Sequence, residues 1–298
     1  MGVRQAELRR SGSWSSCCSL KKQRQYMKPE YLFFSLVFII GTIYAVAKFR
    51  RKVRRKKLRS LPIKPEWINI LEKNFEIYRR LPASLREELH GHIQVFLQEK
   101  NFEGCGGLEL TEEIKVTIAA QACLLLLNRQ TNYYPRLSSI VIYPSTYIVK
   151  NDRVEEGVVI PEEIRLGESW RTGVVVLAWD EVLSGALNPT DGANVVFHEF
   201  AHQLDQEDGE ADGTPILEKR SQYLEWGRVL SNEFTILQKK SLKHVRTVMN
   251  YYGATDPGEF FAVATETFFE KSQQMKSAHP ELYDELKSYY KVDPLTWV

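Results

Sequence analysis

The chain has 298 residues, 43% of them hydrophobic, so it is long enough to form one large domain or two small ones with a buried core. Its net charge of +2 is the sum of a basic N-terminal part and an acidic remainder. Residues 1–59 carry 16 Lys and Arg against 2 acidic residues, whereas residues 60–298 carry 24 Lys and Arg against 36 acidic residues. Since the larger part has a net charge of −12, the composition argues against a body that binds nucleic acid.

The N-terminal part begins with a polar segment, residues 1–30, in which either Met1 or Met27 can start translation. It is followed by 17 uncharged residues, 31–47, rich in Phe, Ile, Leu and Val. As a helix this stretch would be about 26 Å long, close to the ~30 Å hydrocarbon core of a bilayer. We therefore predict a transmembrane anchor at residues 31–47 and a basic juxtamembrane linker at residues 48–62.

The residues after the apolar stretch indicate its orientation. Between Lys48 and Arg59 there are 9 Lys and Arg in 12 residues, and such a cluster resists translocation. This predicts a single-pass protein of the bacterial inner membrane with its C-terminal body in the cytoplasm. Residues 45–47, Ala-Val-Ala, also resemble a signal-peptidase site, so the alternative is a secreted or periplasmic protein cleaved near Ala47.

Amphipathic patterns predict two helices after the linker, at residues 65–78 and 82–96. His90 and His92 lie on the second helix, two residues apart, so they face different directions. We interpret both as surface or packing histidines rather than metal ligands. The glycine-bearing stretch at residues 102–110 is predicted to be a turn.

Residues 111–127 form the most apolar helical stretch of the chain and are predicted to be the central core helix. Cys123 is then an inert thiol in the core. The four cysteines contain no Cys-x-x-Cys pair, so reduced thiols are expected rather than a disulfide framework.

Strand signals follow, in stretches dominated by β-branched, aromatic and other apolar residues, at residues 139–143, 146–149, 154–160 and 174–179. They predict a mixed sheet that precedes the functional helix, and therefore an α+β fold. A short helix capped by Asp180 and a turn at residues 188–192 are expected to connect the sheet to that helix.

The stretch 195–205 contains the pattern His-Glu-x-x-His. On a helix, His198 and His202 lie one turn apart on one face, so both imidazoles can bind one tetrahedral Zn²⁺. Glu199 can reach a water activated by the metal and accept its proton, which is the chemistry of peptide hydrolysis without a covalent intermediate. The pattern also occurs by chance on exposed helices, so the motif alone does not establish a zinc site.

Zinc requires a third protein ligand. Glu259 and Glu266 share one face of a predicted apolar helix at residues 256–269, where a carboxylate is costly to bury unless a metal or a histidine pairs with it. The alternative is that both carboxylates face solvent. Asp208 is a further candidate ligand, although Asp205 stands where the corresponding subclass of zinc peptidases has glycine.

Four stretches of the chain resemble the Mlc titration factor (MtfA-like) family of zinc peptidases, and the resemblance spans about residues 65–293. They are residues 102–111, residues 119–127, the motif at 198–205, and Tyr252 with residues 256–263. The resemblance implies a gluzincin-type zinc metallopeptidase domain, which we place at residues 63–298.

The resemblance also implies roles for individual residues. It implies one Zn²⁺ per chain, bound by His198, His202 and Glu259. It implies that Glu199 is the general base and that Tyr252 stabilises the oxyanion. Two further residues are predicted to support the ligands without touching the metal: Glu266, by resemblance, and Asp205.

We therefore predict a membrane-anchored, zinc-dependent peptidase with aminopeptidase-like activity on peptide or protein substrates. The anchor is a departure from the best-known family members, which are soluble. The alternative is a regulatory protein that sequesters a transcriptional repressor or another partner, with a structural or vestigial zinc site. The enzyme is favoured because a binding module needs neither Glu199 nor Tyr252.

Overall fold

The computed structural model describes residues 29–145 and 173–297. The chain divides into two compact units, Met1–Lys52 and Val53–Val298, and helix α1 (Pro29–Arg59) contains the boundary. The anchor predicted at residues 31–47 lies within α1. Among the helices that the structure describes, none is both long enough and apolar enough to cross a membrane.

The segment predicted to be a basic linker is helical as far as Arg59. Arg55 donates to both carboxylate oxygens of Glu99, at 3.0 and 2.7 Å, and its guanidinium lies 4.8 Å from the ring centre of Tyr133. Bidentate pairs of this kind fix geometry as well as charge. The second compact unit therefore includes the end of the basic segment, whereas the sequence places the start of the domain at residue 63.

Three helices follow α1. They are α2 (Pro65–Asn74), α3 (Glu76–Arg80) and α4 (Ala83–Glu99). The helix predicted at residues 65–78 is thus two helices, separated at Phe75, whose backbone is extended and whose ring is buried. His92 is buried and its Nδ1 lies 2.9 Å from the hydroxyl of Tyr133, which agrees with a packing role.

The described strands form a three-stranded sheet in the order β1 (Asn101–Gly104), β2 (Ser139–Tyr143) and β3 (Val174–Ala178). Both pairings are parallel, so these strands do not form the mixed sheet that was predicted. The stretch predicted as a turn begins with β1, because Phe102 pairs with Ile140. The strands predicted at residues 146–149 and 154–160 lie outside the described residues.

The other elements among the described residues are helices. They are α5 (Glu112–Leu124), α6 (Trp179–Leu187), α7 (Val195–Asp205), α8 (Gln222–Leu242), α9 (Pro257–Glu270), α10 (Ser272–Ala278) and α11 (Pro280–Tyr290), with short 3₁₀ helices at Tyr251–Ala254 and Pro294–Thr296. α5 is the predicted core helix, since every residue from Val116 to Leu124 is buried. Burial raises the pKa of the Cys123 thiol far above its usual value, as expected for an inert core cysteine. α7 packs against both α5 and α9, so the helix with the histidine motif lies in the core.

Candidate metal centre

Helix α7 is fixed at its start by Asn194, whose side-chain oxygen accepts a hydrogen bond from the Phe197 amide at 3.0 Å. This is an N-cap, which satisfies an amide that has no partner within the helix. The apolar face of α7 is buried and includes Val196, Phe197, Phe200, Ala201 and Leu204. Burial of that face holds the two motif histidines in a fixed orientation.

Three side chains meet at one point beside α7. Nε2 of His198 lies 3.2 Å from Nε2 of His202, and Oε2 of Glu259 lies 3.0 Å from the former and 3.4 Å from the latter. Zinc bonds of ~2.0–2.1 Å at tetrahedral angles separate neighbouring ligand atoms by roughly 3.3 Å. The three atoms therefore form a triangle that matches one face of a zinc tetrahedron.

Glu259 reaches this point because of the way α9 begins. Asp256 caps the helix by accepting from the Glu259 amide at 2.9 Å, and Pro257 occupies the first helical position. The first turn of α9 therefore presents Glu259 to α7. Asp208, the other candidate ligand, accepts from the Glu210 amide at 3.1 Å and is not part of the triangle.

The charges of the site fit a cation. Burial disfavours the ionised form of Glu259, but hydrogen bonds to His198 and His202 outweigh it and hold the pKa of the carboxyl far below its usual range. Burial likewise disfavours a charged His198, yet Glu259 and Glu266 raise the pKa of its imidazole to about 10. The surroundings therefore stabilise positive charge where the three ligands meet, and the donor set of two imidazoles and one carboxylate suits zinc.

Glu266 contacts the imidazole nitrogen of His198 that does not belong to the triangle. Its Oε1 lies 2.8 Å from Nδ1 of His198, and its Oε2 accepts from the Asn194 amide at 2.6 Å. A carboxylate at Nδ1 leaves Nε2 of the imidazole available for a metal and fixes the ring orientation. Glu266 therefore contacts His198 and is not part of the triangle.

Glu199 is buried, and neither of its carboxylate oxygens has a hydrogen-bond partner among the described residues. Burial raises its pKa to about 8, with the His198 charge opposing and the Glu259 charge adding to the shift. A buried carboxylate without a partner is costly, and such groups are found where a water or substrate is handled. A pKa near neutrality is suited to proton transfer.

Tyr252 is half-exposed. Its hydroxyl donates to Oε1 of Glu259 at 3.3 Å, and its ring centre lies 5.9 Å from that of His198. Burial, followed by the charge of Glu259, raises the pKa of the phenol to about 12, so it stays a donor near neutral pH. The hydroxyl of the neighbouring Tyr251 donates to the Val245 carbonyl instead, at 2.6 Å.

Asp205 ends α7 and is fully buried. Its Oδ2 accepts from the Gly213 amide at 2.9 Å, across the acidic loop that follows the helix. Gly213 has φ +75°, and a Cβ there would overlap the Pro257 carbonyl at the start of α9. Asp205 therefore links the end of α7 to this loop, which lies against the start of α9.

Three residues that support the site were not predicted from the sequence, namely Asn194, Gln121 and Glu270. Oε2 of Glu270 accepts from the Ala193 amide at 3.1 Å, and Oε1 of Gln121 accepts from the side-chain amide of Asn194 at 2.9 Å. Glu270 was recognisable in part, because it continues the face of α9 that carries Glu266 one turn earlier. Gln121 gave no signal, since it belongs to an otherwise apolar helix distant in sequence.

Comparison with known proteins agrees with this geometry. The family model described as "Glucose-regulated metallo-peptidase M90" matches residues 49–291. The chain is 43% identical over 245 residues to the "Uncharacterized protein slr2042" of Synechocystis sp., which covers 81% of this chain and 89% of that protein. It is 32% identical to Mlc titration factor A of Klebsiella pneumoniae over 67% of this chain and 76% of that protein, and 27% identical to Mlc titration factor A of Escherichia fergusonii over 78% and 87%. The chain therefore belongs to the M90 family of glucose-regulated metallo-peptidases.

Proposed function

We propose that the protein is a zinc-dependent peptidase that hydrolyses peptide bonds. The observation that carries the proposal is the buried carboxylate of Glu199, which has no hydrogen-bond partner in the described part of the chain, beside the triangle formed by His198, His202 and Glu259. A purely structural zinc site has four protein ligands and no use for a neighbouring base, whereas a catalytic site has three and leaves a position open. Membership of a metallopeptidase family supports the same conclusion.

A zinc ion held by His198, His202 and Glu259 would supply a Lewis acid that polarises the scissile carbonyl and lowers the pKa of water. Glu199 accepts a proton from the attacking water at its carboxylate and passes that proton to the leaving amine. Tyr252 donates its hydroxyl proton in a hydrogen bond to the oxygen on which negative charge develops. Glu266 keeps His198 in the tautomer that offers Nε2 to the metal.

Aminopeptidase-like activity is the finer part of the proposal and rests mainly on the resemblance to the Mlc titration factor family. It is supported by the charge beside the site. The loop between Asp205 and Gly213 carries four acidic residues, Glu207, Asp208, Glu210 and Asp212, and contacts the start of α9. Negative charge at this position attracts a free α-amino group.

Attachment to a membrane through residues 31–47, with the body in the cytoplasm, is proposed from the sequence alone. Its support is the uncharged stretch and the basic cluster that follows it. An engineered cysteine at an exposed position of the second compact unit, such as Leu224→Cys, tests the orientation in intact cells. With Cys17 and Cys18 first replaced by serine, labelling of the engineered thiol by a reagent that does not cross the membrane would contradict a cytoplasmic body.

Binding of a regulatory protein is the second candidate function. It is supported by the name of the relatives, Mlc titration factor A, which describes titration of Mlc. The two functions are separable, because binding requires a surface and turnover requires Glu199. A partner that binds the Glu199→Gln variant as well as the parent would show that this binding does not require turnover.

The proposed activity is tested with the purified full-length protein and a set of short peptides. We expect peptide turnover that a zinc chelator abolishes and that added Zn²⁺ restores. Turnover that survives complete metal removal would contradict the proposal, and so would the absence of turnover in protein that carries one zinc per chain.

A further inference from the structure

Asn194 determines where the first histidine of the motif lies. It is buried, and its carbonyl accepts the hydrogen bond of the His198 backbone amide at 2.9 Å. Its side-chain oxygen caps the same turn through the Phe197 amide. A displacement of Asn194 is therefore transmitted directly to the first turn of α7 and to His198.

Asn194 is held by groups from two neighbouring helices. Its side-chain Nδ2 donates to Gln121 of α5 at 2.9 Å, and its backbone amide donates to Glu266 of α9 at 2.6 Å. The amide just before it, that of Ala193, donates to Glu270 of α9 at 3.1 Å. The start of α7 is thus fixed between the core helix and the helix that supplies the third ligand.

Gln121 is oriented for this contact. Its Nε2 donates to the Thr117 carbonyl at 3.3 Å and to the Val182 carbonyl at 3.4 Å, which leaves Oε1 to accept from Asn194. The side chain is fully buried in an apolar helix, where an amide without partners would be costly. A Cβ at Gly185 would lie 3.2 Å from three atoms of Asn194, so the absence of a side chain at Gly185 allows α6 to pack closely against Asn194.

We propose that Gln121 and Glu270 are positioning residues for the metal centre, acting on His198 through Asn194 and Ala193. The inference rests on the proposed metal site. Bonds of ~2.0–2.1 Å tolerate little displacement of His198 Nε2 relative to Glu259, whose helix carries Glu270 itself. Loss of either contact lets the start of α7 shift against α9, and the metal is then bound more weakly.

The test measures zinc affinity by competition with a chromophoric chelator, and the absorption spectrum of the Co²⁺-substituted protein, on the full-length chain. The variants are Gln121→Met and Glu270→Ala, with Glu270→Asp as a milder change if the alanine variant does not fold. Asn74→Leu removes another buried amide that contacts α5, and Glu233→Ala removes another buried carboxylate, on α8. Among the described residues, neither control side chain hydrogen-bonds to Asn194. Thermal unfolding measures how far each variant loses stability.

We expect zinc affinity to fall about 10-fold or more in Gln121→Met and Glu270→Ala, with an altered Co²⁺ spectrum, as for other residues that orient metal ligands. Glu270→Gln should restore both readouts, because its amide oxygen can still accept from Ala193. The controls should lose stability but keep zinc affinity and spectrum. Equal affinity in the two variants and the parent would overturn this inference while leaving the peptidase proposal intact, and a parent that binds no zinc would overturn both.

Discussion

The carboxylate of Glu266 lies 2.8 Å from Nδ1 of His198, although the two residues are 68 positions apart. This contact joins the helix that carries the histidine motif to the helix that carries Glu259. Because one carboxylate contacts both His198 and the Asn194 amide, the two helices cannot shift independently at the metal centre.

Zinc affinity should distinguish Glu259, the proposed third ligand, from Glu266, which contacts His198. Glu259→Ala removes one corner of the ligand triangle and should lower zinc affinity more than Glu266→Ala does. A carboxylate that orients a histidine typically contributes ~10- to 100-fold in affinity. Metal analysis after dialysis against a graded series of chelator concentrations provides the comparison. Equal losses of zinc affinity in the two variants would contradict the different roles assigned to Glu259 and Glu266.

Tyr252→Phe should lower kcat with little effect on zinc content. The phenol donates to negative charge that develops only in the transition state, so its loss affects the chemical step more than substrate binding. Loss of one such donor costs on the order of 10²- to 10³-fold in oxyanion holes. Tyr251→Phe is the matched control, because its hydroxyl contacts the Val245 carbonyl and not the site. Greater damage from the control would contradict the role of Tyr252.

Two Gly→Ala substitutions should change stability in opposite directions. Gly213 has φ +75° and lies against the Pro257 carbonyl, so alanine there should cost about 1–3 kcal/mol and loosen the acidic loop. Gly227 lies within α8 with open space around it, so alanine should stabilise by about 0.5–1 kcal/mol. Denaturant unfolding of both variants measures the difference, and a neutral Gly213→Ala would show that the loop packs differently.

The elements that the sequence predicts best have local signals. Asp256 and Pro257 mark the start of α9, and the apolar residues around the histidine motif predict a buried α7. Strand β1 was missed because its four residues include a glycine and are mostly exposed, so its pairing with β2 supplies what its own sequence does not. The helix break at Phe75 was missed for a similar reason, since burial of the ring overrides an unbroken helical pattern.

The same distinction applies to the metal centre. His198, Glu199 and His202 are neighbours in one short motif, so their spacing on a helix is enough to bring them together. The contacts of Gln121 with Asn194, and of Glu270 with Ala193, depend on the packing of separate helices. No periodicity within a single helix encodes such contacts.

The most direct test of the account is the peptide turnover of Glu199→Gln in the full-length protein. Glutamine is close in size to glutamate but cannot accept the proton of the attacking water. We expect the variant to keep the fold and one zinc per chain while its turnover falls by about 10²- to 10⁴-fold, the usual contribution of a general base. A variant that retains zinc and cleaves peptides as fast as the parent would contradict the proposed mechanism and favour the regulatory binding protein.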